Sequence, residues 1–243
     1  MCCTIIFEST SVVGRRRCGV AASGAGAVAC GRGGGFRLSR LPDDYFDQLY
    51  SRTADPWDLG SRWYEERKYA ITLASLPRQG YRHAFEPGCS IGVLTTLLTD
   101  RCAHVTATDV VAAALQSAQH RLDDAGRGAR VTLLQQSLDE PWPPGPFDLL
   151  VLSEVGYYLA PDALRRVLDR ECPRLTAGAT VVAAHWRHRV DDYPMTGDRV
   201  NEIVADTTGL HSIASYRDGD VVIDVFDTAD DASVAARTGV PIA

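Results

Sequence analysis

The stretch Phe85-Glu86-Pro87-Gly88-Cys89-Ser90-Ile91-Gly92 decides the fold. An apolar lead-in precedes it and a helix-like run follows, so it reads as strand, tight turn and helix. Gly88 and Gly92 place no side chain where the backbone turns sharply, and the N–H groups opening the next helix face whatever lies against the turn. Such a turn binds a nucleotide-like molecule. A dinucleotide fold spaces its glycines G-x-G-x-x-G and keeps the turn uncharged, because a pyrophosphate sits there. Here Gly88 is followed by Gly92 with Ser90 between them. Glu86 ends the strand, where a carboxylate repels phosphate and attracts ammonium.

The E-x-G-x-S-x-G pattern resembles the first motif of S-adenosylmethionine (SAM)-dependent methyltransferases. SAM carries an ammonium and a sulfonium and no phosphate, which suits Glu86. On this reading Glu86, Gly88, Cys89, Ser90 and Gly92 contact the cofactor. A second carboxylate supports it. His104 to Asp109 reads as a strand ending in an acid about 20 residues beyond the turn, where folds of this kind bind a ribose diol. Asp109 is the candidate ribose ligand, with Val110 beside it. The alternative is that Asp109 caps the helix starting near Val111, and both roles can hold together.

The 243 residues, 45% hydrophobic and 23% charged, suit one globular domain. The net charge of −6, with no basic run beyond Arg15-Arg16-Arg17, argues against a nucleic-acid partner and for a small molecule. No apolar run approaches the ~20 residues needed to span a membrane, so a cytoplasmic protein is expected. Four of the seven cysteines precede residue 31 and no C-x-x-C pair occurs, so neither zinc nor a disulfide framework is indicated. Cys89, Cys102 and Cys172 read as buried fillers. Oligomeric state is not legible.

Residues 1–40 are rich in Gly, Ala, Cys and Arg and lack a sustained period. They read as a disordered extension or as the product of a mis-assigned start. The domain expected over 41–228 begins with a short helix after Pro42. Asp55-Pro56-Trp57 then holds an aromatic on a loop, which suggests a lid, and a second helix covers about 61–76. Strand and helix patterns alternate from there: strands end at Glu86 and Asp109, a helix covers 112–122 and a strand 131–135. Phe147 to Leu152 is the near-continuous apolar run of a central buried strand. A helix follows over 161–175 and a strand over 178–184. Segments 210–216 and 221–226 flank Arg217-Asp218-Gly219-Asp220, a hairpin signal. The fold class is therefore α/β, a Rossmann-like, seven-stranded, mostly parallel sheet with an antiparallel C-terminal hairpin and an N-terminal helical lid. By resemblance this is the class I methyltransferase fold. The tail, 229–243, is expected to be flexible.

In open parallel sheets the ligand lies at the carboxyl ends of the strands. Ser153 and Glu154 follow the fourth strand, with Tyr157 and Tyr158, and His185 and Trp186 follow the fifth. They are expected to converge on the mouth lined by Glu86 and Asp109, with Ser153 and Glu154 also reaching the cofactor. Methyl transfer mainly needs alignment and exclusion of water. It also needs a place for the acceptor's proton. His185 ranks first as base, with Glu154 binding and orienting the acceptor. A satisfied strand-end histidine and a capping glutamate are the plain alternatives. Tyr157 and Tyr158 either face the methyl group or simply pack. Ser137 and Leu138 lie where methyltransferases hold the adenine, by analogy.

A closer resemblance rests on several segments in order. These are Phe46 to Tyr50, Asp55-Pro56-Trp57, Tyr64-Glu65 with Lys68, the glycine turn, Ser153-Glu154-Val155 with Tyr157-Tyr158, and His185-Trp186-Arg187. Together, from about Tyr45 to Phe226, they resemble the nodulation protein S family. That resemblance implies a SAM-dependent methyltransferase whose N-terminal helices cover the cofactor and shape the acceptor site, with Trp57, Tyr64, Tyr157, Tyr158 and Trp186 as acceptor contacts. Founding members N-methylate an amino sugar of a chitin oligosaccharide, so a small polar acceptor bearing an amine is expected. O-methylation of a small metabolite, an NAD-dependent oxidoreductase and a catalytically silent SAM-binding module are the alternatives.

Overall fold

The computed structural model describes residues 39–241. The extension expected over 1–40 lies outside the described residues except for its last two. Helices α1 (Asp43–Tyr50) and α2 (Trp63–Ser75) precede β1 (Tyr81–Pro87), α3 (Val93–Leu98), β2 (Cys102–Asp109), α4 (Ala112–Asp124) and β3 (Val131–Gln135). The chain continues through β4 (Leu149–Ser153), α5 (Pro161–Glu171), β5 (Thr180–Trp186), α6 (Gly197–Ala205), β6 (His211–Arg217), β7 (Val221–Asp227) and α7 (Val234–Arg237).

The strands form one sheet in the order β3-β2-β1-β4-β5-β7-β6. Strands β1 to β5 pair in parallel, and β7 runs antiparallel to both β5 and β6. This is the α/β fold the sequence predicts. The chain winds outward from β1 to β3 and then returns to β4. The carboxyl ends of β1 and β4 therefore flank the crevice where such sheets bind ligands.

Alternation along β4 explains its apolar run. Leu150 and Leu152 pack with Leu164, Leu168, Val200 and Ile203 on one face, while Leu149 and Val151 join Tyr69, Leu94 and Leu98 on the other. Both faces are covered, so every position must be apolar.

Two departures matter. Strand β5 runs two residues further than expected, so His185 and Trp186 end the strand instead of following it. Helix α6 was not expected. Its signal was present: Thr196 Oγ1 accepts from Arg199 N at 3.3 Å, and Val200, Ile203 and Val204 share the buried face. In the tail, Arg237 Nη1 lies 2.8 Å from the fully buried Asp227 and Nη2 lies 2.7 Å from Asp230. That anchors the chain as far as α7.

Candidate active site

The turn after β1 is left-handed at three residues, Gly88 (φ 73°), Ser90 (φ 51°) and Gly92 (φ 74°). A Cβ on Gly88 would lie 2.7 Å from Val155 Cγ2, and one on Gly92 would lie 2.8 Å from Ala118 Cβ. The missing side chains therefore face the protein itself. Glycine is demanded by backbone conformation and close packing, which in turn leave the turn's amides in place.

A non-glycine residue in this conformation costs about 1–2 kcal/mol, and Ser90 is held there from two sides. Its N–H donates to Asp109 Oδ2 at 2.9 Å, and its hydroxyl bonds to that of Tyr50. Asp109 Oδ1 accepts from Val111 N at 2.9 Å. The carboxylate thus braces the glycine turn and the start of α4 together, and it remains at the carboxyl end of β2. Tyr50, the last residue of α1, was not among the expected site residues. Its sequence signals were its place on the apolar face of that helix and in the Phe46 to Tyr50 segment of the resemblance.

Glu86 is buried and accepts from Thr95 Oγ1 at 2.7 Å. Burial, with Asp109 nearby, pushes its carboxyl up to about 8. Burial raises Asp109 as well. Two carboxyl groups are thus desolvated at one end of the sheet, and no lysine or arginine within ion-pair distance of either occurs among the described residues. A ligand bringing positive charge and hydroxyl donors fits this pair, and a pyrophosphate does not. The chain's own residues therefore suit SAM. Cys89 is a buried thiol held well above its ordinary value by desolvation, in keeping with a filler beside the turn.

Beyond β3, Ser137 Oγ donates to Asp139 Oδ1 at 2.5 Å. Leu138, expected beside the adenine, is instead 5% exposed and packs with Phe85 and Trp142 in the core. The indole of Trp142 donates to Leu138 O at 3.3 Å and fixes that orientation. Val110 lies half-buried beside Phe46 and Tyr158, under α1.

At the end of β4, Ser153 is half-buried and Glu154 is left-handed, with φ 56°. Glu154 Oε1 accepts from Lys68 Nζ at 2.7 Å, and Oε2 accepts from Tyr157 Oη at 2.7 Å and Trp186 N at 2.9 Å. Burial alone would raise this carboxyl, but the Lys68 ammonium first, and then His185 and the Trp186 N–H, hold it below the usual range. It is an ionised acceptor and a poor proton acceptor. Lys68 and its second partner, Glu65, lie on α2 and were not expected in the site.

His185 does not fit the role of base. It is completely buried, Nδ1 lies 2.8 Å from Asn201 Oδ1, and Nε2 accepts from Gly156 N at 3.3 Å. Burial pulls its pKa down to about 4. A Cβ on Gly156 would overlap Val200, so α6 closes over the imidazole at this point. The histidine lies beneath the mouth as a packed and satisfied side chain. Asn201 sits on α6, and sequence reasoning missed both.

The aromatic residues divide. Tyr64 and Trp186 pack edge to face, with centroids 5.0 Å apart, above the Lys68–Glu154 pair. The Tyr64 hydroxyl is buried without a hydrogen-bond partner among the described residues. Tyr157 stacks on Tyr193 at 5.0 Å while its hydroxyl reaches Glu154. Tyr158 packs against Phe46 and Tyr193, at 4.8 and 4.9 Å, and its carbonyl accepts from Leu41 N. Tyr158 therefore straps α1 over the mouth. Trp57 lies edge-on to Tyr50 at 5.7 Å, and Asp55 holds the loop by accepting from Leu59 N and Gly60 N at 2.9 and 3.0 Å.

This sheet order, with an acidic glycine turn and a second acid ending β2, defines a SAM-dependent methyltransferase. The model of the Nodulation protein S (NodS) family matches residues 45–182, and the chain belongs to that family. A candidate methyltransferase from Pseudomonas syringae is 36% identical over 68% of this chain and 99% of its own, with a TM-score of 0.58. The N-methyltransferase NodS from Bradyrhizobium japonicum WM9, in complex with S-adenosylhomocysteine (SAH), shares the fold at TM-score 0.66 and 22% identity, over 76% of this chain and 96% of its own. So does a Burkholderia thailandensis 1,6-didemethyltoxoflavin-N1-methyltransferase, at TM-score 0.62 and 17% identity, over 77% and 87%. No curated protein matches the sequence. Family membership sets aside the oxidoreductase and the silent module, and the cofactor is SAM.

Proposed function

We propose that the enzyme methylates an amine on a small, polar, sugar-like acceptor. What carries this reading is that neither candidate base is available. His185 is sealed with both nitrogens engaged, and Glu154 is held ionised by Lys68. A hydroxyl acceptor needs a base during attack, whereas an amine need only lose a proton to water beforehand. The acidic mouth with the faces of Tyr64 and Trp186 suits a group that is cationic before and after the reaction.

When bound, SAM supplies a methyl group on a sulfonium, so the new bond to nitrogen forms as the bond to sulfur breaks. Glu86 is assigned to the cofactor's ammonium, Asp109 to its ribose, and the turn at Gly88, Ser90 and Gly92 to the backbone contacts. Val110, Ser137 and Ser153 border the cofactor in this assignment. Glu154 orients the amine through a free carboxylate edge, and Tyr64, Tyr157, Trp186 and Trp57 wall the acceptor and exclude water. No helix among the described residues is long and apolar enough to cross a membrane. We place the enzyme in the cytoplasm, in keeping with free cysteines at 89, 102 and 172.

The test is SAH release from SAM with glucosamine, a deacetylated chitin-type oligosaccharide, their N-acetylated forms and matched polyols, followed by mass spectrometry. A methyl group on nitrogen, with the acetylated forms inert, supports the reading. Turnover of polyols and acetylated sugars alone would transfer it to the O-methyltransferases.

A further inference from the structure

A lysine on α2 is among the most buried side chains in the molecule. Lys68 is 1% exposed, and its ammonium lies 2.7 Å from both Glu65 Oε2 and Glu154 Oε1. The rings of Tyr64 and Tyr69 close over it, with centroids at 5.3 and 5.2 Å. Desolvating a lysine and two carboxylates in one cluster is unfavourable unless geometry repays it. An apolar contact would join α2 to the sheet more simply, so the cluster calls for a role besides packing.

Two features of Glu154 point to that role. Its backbone is left-handed, a strained state for a glutamate that persists only where the surroundings enforce it. Its side chain is still 20% exposed although three donors hold it. Two carboxylate oxygens offer about four acceptor sites, so one edge is left for a ligand.

We propose that Lys68 is a positioning residue of the methyl-transfer site, clamped by Glu65 and acting through Glu154, whose open carboxylate edge it aims at the acceptor nitrogen. This rests on the amine-methyltransferase reading above. The two flanking carboxyl groups are pushed apart, Glu65 upward by burial and Glu154 downward because Lys68, His185 and the hydrogen bonds from Lys68 and Trp186 together outweigh burial, with Lys68 the foremost of them. The other groups facing Glu154 are the Tyr157 hydroxyl, the neutral His185 and, across the mouth, Tyr64, which Asp218 and Asp220 of the hairpin also face. His185 adds a second positive charge only as it protonates near pH 4, so at neutral pH Lys68 is the charge that Glu154 meets.

The test follows the carboxylates by 13C NMR in glutamate-labelled protein saturated with SAH, with Glu154 assigned through Glu154→Gln. The wild-type Glu154 midpoint should lie below that of an ordinary glutamate, and Lys68→Met should raise it by about two pH units or more. Glucosamine titrated into the SAH complex should bind Lys68→Met at least about tenfold more weakly than wild type, while SAH affinity stays within about twofold. A purely structural lysine would lower the melting temperature and leave the Glu154 midpoint and the glucosamine affinity unchanged, and that result overturns the proposal. Should Lys68→Met fail to fold, Lys68→Met with Glu65→Gln keeps the cluster's net charge and is read the same way. A wild type that ignores SAH would sink the methyltransferase reading, with the midpoint measured in free protein still deciding the role of Lys68. Glucosamine binding to neither protein would count against the acceptor class, and the midpoint again decides.

Discussion

Nδ1 of His185 lies 2.8 Å from Oδ1 of Asn201, and this contact withdraws the histidine from acid–base work. Asn201 Nδ2 donates to Ala183 O at 3.1 Å and Asp224 Oδ2 at 2.7 Å, so the amide is oriented with its oxygen toward the ring. Nδ1 therefore carries the proton, and Nε2 is left to accept from Gly156. Helix α6 and strand β5 are stitched together through a neutral imidazole.

Acid should undo that stitch. The folded pKa of His185, about 4, lies below the ordinary 6.5, so the folded state favours the neutral ring. Its contribution is complete above about pH 6.5 and is lost as pH falls toward 4, by up to about 3 kcal/mol. Denaturant melts between pH 4 and 7 should show this slope in wild type and lose it in His185→Phe. Asn201→Leu should cost about 1–3 kcal/mol at neutral pH by stranding buried polar groups, with SAH affinity unchanged. Loss of SAH binding in a folded Asn201→Leu would place the pair in the cofactor site.

Glu86 should titrate in the opposite sense. Its folded value of about 8 exceeds the ordinary 4.5, so the folded state holds the proton and stability from this group declines as pH rises from 4.5 to 8. Pairing with the cofactor's ammonium requires the carboxylate, so SAM affinity should increase with pH through this range, with proton release on binding. Calorimetry in buffers of different ionisation enthalpy measures that release. Glu86→Gln should abolish it and weaken binding, and an unchanged proton count would remove Glu86 from contact with the ammonium.

Asp109→Ala should weaken SAM binding by about 1–3 kcal/mol through lost charge-assisted hydrogen bonds. It should also lower the melting temperature, because Ser90 N and Val111 N both lose their acceptor. Asp109→Asn, which keeps one acceptor oxygen, separates the effects. Recovery of stability without recovery of affinity is the expected pattern.

Tyr50→Phe removes the hydroxyl that meets Ser90 and leaves the ring against Trp57. SAM affinity should fall by about 1 kcal/mol, the worth of one hydrogen bond bracing the turn. Calorimetric titration checks this. Wild-type affinity would make α1 a cover without a hold on the cofactor turn.

The fold was legible because its signals are local. Apolar runs, glycine turns and a hairpin motif each act within a few residues, and their order dictates a doubly covered parallel sheet. The places of Glu86 and Asp109 were legible for the same reason, since each stands at the carboxyl end of a strand beside the crevice. Helix α6 escaped notice because its short apolar pattern follows a polar loop.

The sequence by itself thus determined the sheet, the glycine turn and the family. What it left open was the company each mouth residue keeps, because that depends on residues far apart in the chain. Lys68 meets Glu154 across 86 residues, and Asn201 reaches His185 from a helix 16 residues on. Tyr50 lies 40 residues before the Ser90 it braces. Those distances and burials turned the expected base into a packed imidazole and the expected acceptor-orienting glutamate into a carboxylate with a partner of its own. Only tertiary structure could decide this, because a side chain's protonation and reach are set by what surrounds it after folding.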